Sequence, residues 1–287
     1  MSSIRYSICA THYNNGEYIR NSAGVFADEI EGRNDWELVI TDAGSNDGSI
    51  KYLRDLESRQ ENVRVIVEEG LTIGEGRRAA AEAANGDILI QVMDLDANYY
   101  NDGRILDITC FYENLIEEEG ELMLSVGINF CTSNLLQELG GWSELITNEE
   151  TELKRRALRV DKLRFAPIRV FDQNAGLEKG LRDGIVRFYH NSAAKFQAGV
   201  SFWYMLYHWA RYAPGIKPKI GAFLVFPFSW ISAKRAVGDV DHSYDKTDKY
   251  LIDFKKTVYK RRPELWLDPP ETLSEYVDEK EIEHIRS

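Results

Sequence analysis

The sequence predicts an α/β protein: a mostly parallel sheet in a three-layer sandwich, followed by a helical, aromatic-rich extension. Three observations point there. Short apolar runs of strand length alternate with stretches of helical apolar spacing through the first third of the chain. The first two runs are each followed at once by turn or polar residues. Beyond Gly180 the character changes, and aromatic clusters follow one another at 188–190, 201–209 and 223–230. The first two observations imply parallel strands joined by right-handed crossovers. The third sets the division expected here, residues 1–180 for the sandwich and 181–287 for the extension and a charged tail.

The elements follow in order. Tyr6–Ala10 reads as a strand, Glu17–Ile30 as a helix through Tyr18, Ile19, Val25, Phe26 and Ile30, and Glu37–Thr41 as the second strand. Gly48–Arg59 carries Ile50, Leu53 and Leu56 on one helical face; Val63–Val67 is a strand, Ile73–Ala84 an Ala-rich helix, and Asp87–Met93 a strand running into Asp94. Ile105–Glu119 then reads as a helix, Leu122–Phe130 as one strand, Leu135–Leu139 and Glu149–Val160 as helices, and Leu163–Val170 as a strand. The last forty residues, charged and with Pro263, Pro269 and Pro270, read as a peripheral tail. In an open parallel sheet ligands bind beyond the carboxyl ends of the strands, and Tyr13, Asp42 and Asp94 all fall there.

Bulk properties exclude several classes. The 287 residues carry a net charge of −12, so the basic footprint of a general nucleic-acid binder is missing and no nucleic acid is expected as a partner. Cys9, Cys110 and Cys131 are odd in number, widely spaced and without a CxxC pair, which argues against structural zinc and against a disulfide framework. The N-terminus lacks a basic segment followed by an apolar one, so the chain reads as cytoplasmic.

Four motifs occur in fixed order: ATHYNNGEYI, VITDAGSNDGS, GEGRRAAAEAANGDILIQVMDLD and ELGGWSELITNEETEL. Together they resemble the GT-A glycosyltransferases, specifically the large inverting family 2, over roughly the first 160 residues. The resemblance implies the GT-A fold and a metal-dependent transfer of sugar from a nucleotide-diphosphate donor to a hydroxyl of a glycan or a lipid-linked acceptor. The alternative is a non-catalytic nucleotide-sugar-binding protein on the same fold. Nucleotidyl transfer would call for a Gly-rich basic loop after the first strand, and ATHYNNGEY is not one.

Roles follow from the resemblance position by position. Thr11, Tyr13 and Asn14 stand where the family's Thr-Tyr-Asn meets the base, with Tyr13 packing on its flat face and Thr11 and His12 along its edge. Asp42 would accept a bond from the nucleobase; its bland reading is a turn and helix cap, which suits Asp47 better. Counting back from Gly86 makes Arg77 the cation facing the nucleotide, with Arg78 in place of the family's Asn. Asp94 and Asp96 form an acidic pair at a strand end, an oxygen donor set suited to Mn2+ or Mg2+. Asp96 is the metal ligand and Asp94 a ligand or ribose contact, because the spacing from Gly86 is one residue longer than the family's. His190 is a candidate third ligand, with a structural or surface histidine as its other reading.

In the acceptor segment Gly141 allows close approach, Trp142 offers a flat platform to a sugar ring, and Glu149 lines the acceptor. Glu150 is by register the base that takes the acceptor proton, where the family commonly has Asp. Residues 201–233 are dense in aromatics and flanked by Arg211, Lys217, Lys219, Lys234 and Arg235. They read as an interfacial helix pair at the inner face of a membrane, with Phe226 and Trp230 toward lipid, as a core-packing helical unit, or as a dimer face.

Overall fold

The computed structural model describes residues 4–92, 94–145, 148–172, 181–197, 200–212, 215–235 and 254–286. The sheet is built on β1 (Tyr6–His12), β2 (Trp36–Asp42), β3 (Val63–Val67) and β4 (Ile88–Gln91). Here β1 lies between β2 and β4, β2 pairs with β3, and all three pairings are parallel. Connecting them are α1 (Ala23–Glu29), α2 (Ser49–Arg59) and α3 (Ile73–Ala83). Side-chain alternation decides the layers. Ile8, Ala10, Leu38, Ile40, Ile88 and Ile90 enter one core cluster with Phe26 and Leu53, whereas Cys9, Val39 and Leu89 enter a second with Ala80. Every residue of β2 is buried, as a strand covered on both faces requires.

Beyond β4 come β5 (Asn98–Tyr99), α4 (Arg104–Glu119), β6 (Met123–Ser125), β7 (Asn129–Thr132), α5 (Ser133–Glu138), α6 (Glu149–Arg159), β8 (Leu163–Phe165) and β9 (Phe171–Asp172). The seven-stranded order is β3-β2-β1-β4-β7-β6-β8, with β7 antiparallel to both β4 and β6, and β5 pairs separately with β9. The run expected as one strand, Leu122–Phe130, is two. At its middle Gly127 takes a φ of 95°, open to glycine at little cost, and the chain folds back there. Similarly, the strand expected over Leu163–Val170 ends at Phe165, two residues before Pro167, which has no N–H to give a ladder.

Then follow α7 (Leu181–Gln197), α8 (Phe202–Tyr212) and α9 (Ile216–Arg235), which share a small core of Phe196, Val200, Met205, Ala222, Phe226 and Ala233. The final stretch, α10 (Phe254–Arg261), two 3₁₀ turns and α11 (Glu279–Arg286), is not the peripheral tail expected from its charge. Val258 and Leu265 enter one core cluster, Leu273 and Tyr276 the other. Trp266 stacks on Phe165 at 4.9 Å between ring centroids, and the Tyr276 hydroxyl donates to Asp107 at 3.0 Å. Apolar side chains spaced among the charges thus strap the C-terminal stretch onto the β8 edge.

Candidate active site

Strand order reverses at the β1/β4 boundary, so a crevice opens past their carboxyl ends. Two loops wall it on one side. Asp42, wholly buried, accepts the N–H groups of Gly44 (2.9 Å) and Ser45 (2.7 Å) and the Ser45 hydroxyl (2.7 Å). Ser45 Oγ accepts the Asn14 N–H, Asn14 Oδ1 accepts the N–H of Asn46, and Asp47 accepts the N–H of Gly16. The loops after β1 and β2 are therefore laced together. The carboxylate of Asp42 organises the turn and presents no surface to a base, whereas Tyr13 is 56% exposed and free to pack on one. Thr11 is buried beneath, its methyl group against Gly76 of α3.

Helix α3 begins with a capping box: Thr72 Oγ1 accepts the Glu75 N–H at 3.2 Å and Glu75 returns the bond to the Thr72 N–H at 2.7 Å. Near its start Gly74 meets the loop after Trp142 so closely that a Cβ would lie 1.9 Å from the Ser143 carbonyl oxygen. The helix thereby brings Arg77 inward. Its guanidinium, almost fully buried, lies 2.7 Å from Glu149, 3.8 Å from Asp94 and 5.1 Å from the Trp142 ring centroid. Arg78 turns the other way, donating to the Trp142 carbonyl and to Glu144.

Asp94 sits at the mouth of the crevice with its side chain 46% exposed. Water reaches it at the opening, yet protein surrounds it on the remaining sides. That desolvation, with Asp96, Glu149 and Glu150 close by and Arg77 opposing them, pushes its carboxyl up to about 7. The backbone carbonyl of Asp94 is fixed by the Tyr99 hydroxyl at 2.9 Å. On the far wall α6 starts after Asn148, whose φ of 65° is left-handed, with Glu149, Glu150 and Glu152 all in its first turn, where the helix dipole favours negative charge. Burial raises the Glu149 carboxyl, with Arg77 pulling the other way. Glu150 is partly exposed and ion-paired to the buried Lys154 one turn along. Arg156, held by Glu152, donates to the carbonyls of Leu139 and Gly141 and so sets the Gly140–Gly141 turn.

The structure thus brings Glu149 and Asp94 to Arg77, with Asp96 and Glu150 near enough for their charge to act on Asp94. Besides the nucleobase contact expected of Asp42, three expectations need correction. Trp142 is no platform for a sugar: it is 2% exposed, packed in the core beneath Arg77. Glu149 does not line an acceptor surface, being buried against Arg77. His190 is an exposed residue on α7, and among the described residues no three His, Cys, Asp or Glu side chains gather to hold a metal ion. Gly141 remains beside open space, on the wall of a cavity of about 470 Å³ that Arg78, Glu82 and Gln137 also line. Met93, Ile146 and Thr147, within two of the motifs, lie outside the described residues.

Two residues were missed as part of the site. Lys154 lies four residues after Glu150 on one helix, a spacing that pairs opposite charges and was readable beforehand. Tyr99, which fixes Asp94, carries no such signal. His12 is buried with neither ring nitrogen hydrogen-bonded, and burial lowers its pKa against the pull of Asp42, Asp47 and Asp96.

A seven-stranded, mostly parallel sheet between helices is the arrangement of the GT-A fold. Residues 7–109, about a third of the chain, match the model of the family described as Glycosyl transferase family 2. No curated protein matches. Among solved structures, S. aureus TarS 1–349 in complex with UDP-GlcNAc is 12% identical, with 96% of this chain and 84% of that one covered at a TM-score of 0.52. The longer S. aureus TarS structure is also 12% identical, covering 99% and 53% at 0.50. A mannosyltransferase, PcManGT from Pyrobaculum calidifontis in complex with GDP-Man and Mn2+, is 14% identical, covering 92% and 82% at 0.48.

Proposed function

We propose that the protein transfers a sugar from a nucleotide-diphosphate donor to an acceptor hydroxyl, with inversion at the anomeric carbon. The observation that carries this reading is the meeting of Arg77 with Asp94 and Glu149 past the reversal of strand order, with Glu150 next along α6. The laced loops after β1 and β2 would receive the nucleoside, with Tyr13 against the base and Asn14 at its edge. Asp42 would act through the turn it holds.

The residues fit a divalent cation, Mn2+ or Mg2+. Carboxylates are hard oxygen donors, and Asp94 has Asp96, Glu149 and Glu150 near it, negative charge that a cation offsets. Asp96 and Asp94 would hold it, without His190. A cation bound there neutralises charge on the departing diphosphate. The protein's own part is positional. Arg77 fixes the carboxylates of Glu149 and Asp94 on one side, so that Glu150, next along the first turn of α6, faces the crevice as the base. The acceptor oxygen attacks the anomeric carbon, the bond to the diphosphate breaks, and the acceptor proton passes to a Glu150 oxygen. The acceptor, a glycan or a lipid-linked one, would enter at the open mouth beside Asp94, since neither Asp94 nor Glu150 lines the cavity that Gly141 borders.

One observation favours the rival reading of a donor-binding protein without turnover: the Lys154 ammonium already occupies an oxygen of Glu150. Calorimetric titration of UDP- and GDP-sugars with and without Mn2+, on the native chain and on Asp96→Asn, tests the donor site. Metal-dependent binding that Asp96→Asn abolishes supports it, and binding unaffected by metal or by the substitution overturns it. Release of nucleoside diphosphate in the same mixtures separates transfer from mere binding.

A further inference from the structure

Helix α9 is apolar on both sides. Ala222, Phe226, Ser229 and Ala233 face inward and are buried, Phe226 completely. Ile216, Ile220, Phe223, Leu224, Phe228 and Ile231 fall on the opposite face at helical spacing, and all of them are exposed, Phe223 and Phe228 each at 68%. Neighbouring α8 adds Trp203, 75% exposed, and Tyr207 one turn on. A helix apolar all round has its second face covered by something other than water. Contiguous apolar surface of this kind marks an interaction site.

Charge says what covers it. The chain has 47 acidic against 35 basic residues, yet between Asp183 and Asp239 there is no Asp or Glu at all, and seven Lys or Arg. Arg211 is exposed at the end of α8, and Lys219 sits in the first turn of α9. In a two-fold contact between copies this face would meet itself, cations against cations, whereas an anionic lipid surface offers the opposite charge. No helix among the described residues is long and apolar enough to cross a membrane. An element of this pattern lies in the interface instead of spanning it.

We infer that α8 and α9 form a docking surface for an anionic phospholipid membrane, with Trp203, Phe223 and Phe228 entering the acyl boundary and Lys and Arg meeting the headgroups. Phe226, expected from the sequence to face lipid, belongs to the core beneath. The surface is independent of the donor-site reading, because vesicle binding requires no sugar transfer.

The test is flotation of the full chain with vesicles of phosphatidylcholine and phosphatidylglycerol, about three to one, and of phosphatidylcholine alone, at low and at high salt. Binding to the anionic vesicles, weakened by high salt and by removal of phosphatidylglycerol, is expected. The triple substitution Trp203→Ser/Phe223→Ser/Phe228→Ser should lower the partition coefficient by at least about tenfold, with an unchanged melting temperature because all three are exposed. Should that variant fold poorly, Arg211→Glu/Lys219→Glu leaves every apolar contact in place and should abolish the preference for anionic vesicles. No flotation at low salt, or flotation unaltered by the charge reversal, overturns the proposal. So does a dimer in sedimentation velocity that the triple variant dissociates without any vesicle binding, which would make the face a contact between copies.

Discussion

Arg77 and Glu149 meet at 2.7 Å, each with about a sixteenth of its side chain exposed, and this pair couples the helix that follows β3 to the helix that carries the proposed base. The two residues come from different motifs. Their contact also fixes Trp142, whose ring lies beneath the guanidinium, so one ion pair ties three walls of the crevice together.

Breaking that pair from one side should be costly. Arg77→Met leaves a buried carboxylate with its opposite charge removed, and such changes cost about 3–5 kcal/mol. The double variant Arg77→Met/Glu149→Leu removes both charges and should recover most of the loss. Urea midpoints of the three proteins check this, and a double variant no more stable than the single would show that the pair is not the unit.

Trp142→Ala should destabilise the fold by about 3–5 kcal/mol, as for a large aromatic removed from a core. A sugar platform would behave differently, losing acceptor affinity at constant melting temperature. Thermal unfolding of Trp142→Ala and Trp142→Phe, the latter retaining most of the packing, distinguishes the two.

Much of the fold was legible because its determinants are local. Strands β1, β2 and β4 send alternate side chains to opposite faces, and α3 announces itself through its run of alanines. Asp94 and Asp96 past β4 and Glu150 in the first turn of α6 lie at the element ends where the sequence puts them. What the sequence hid is tertiary. A Trp after two glycines looks available until Arg77, from a distant helix, is seen above it. Phe226 and Phe228 are equal as letters, and only the packing of α7 and α8 decides which face of α9 is covered. The C-terminal strap was hidden for the same reason, since Leu265 and Leu273 find their partners more than ninety residues back in the chain.

Stability should depend on pH through Glu29. Burial raises its carboxyl above the ordinary value, against the N–H donated by Gly103 and the charge of Arg104. The folded chain therefore holds this proton more tightly than the unfolded one. The stability so contributed is fully present below the unfolded pKa and is lost as pH rises through the folded one. Glu29→Gln keeps a neutral oxygen for the Gly103 N–H and has no proton to lose. Relative to the native chain, the variant should gain stability as pH rises from the unfolded value to above the folded one. Urea midpoints across that range check it, and a difference constant with pH would contradict it.

Lys154 sits buried beside Glu150 and compensates its charge. Lys154→Met should impair transfer while leaving donor binding intact, whereas Lys154→Arg, which keeps the charge, should retain more of the rate. Initial rates and calorimetry on the native chain and the two variants check it, and Lys154→Met transferring at the native rate would remove Lys154 from the account.

The most direct measurement is the rate of nucleoside-diphosphate release from a sugar donor and acceptor by Glu150→Gln beside the native chain, with donor affinity measured on both. If Glu150 takes the acceptor proton, release falls by about 10²–10⁴-fold while affinity for the donor stays the same. Release by Glu150→Gln at the native rate would contradict the central claim and move the base to another carboxylate of the α6 first turn.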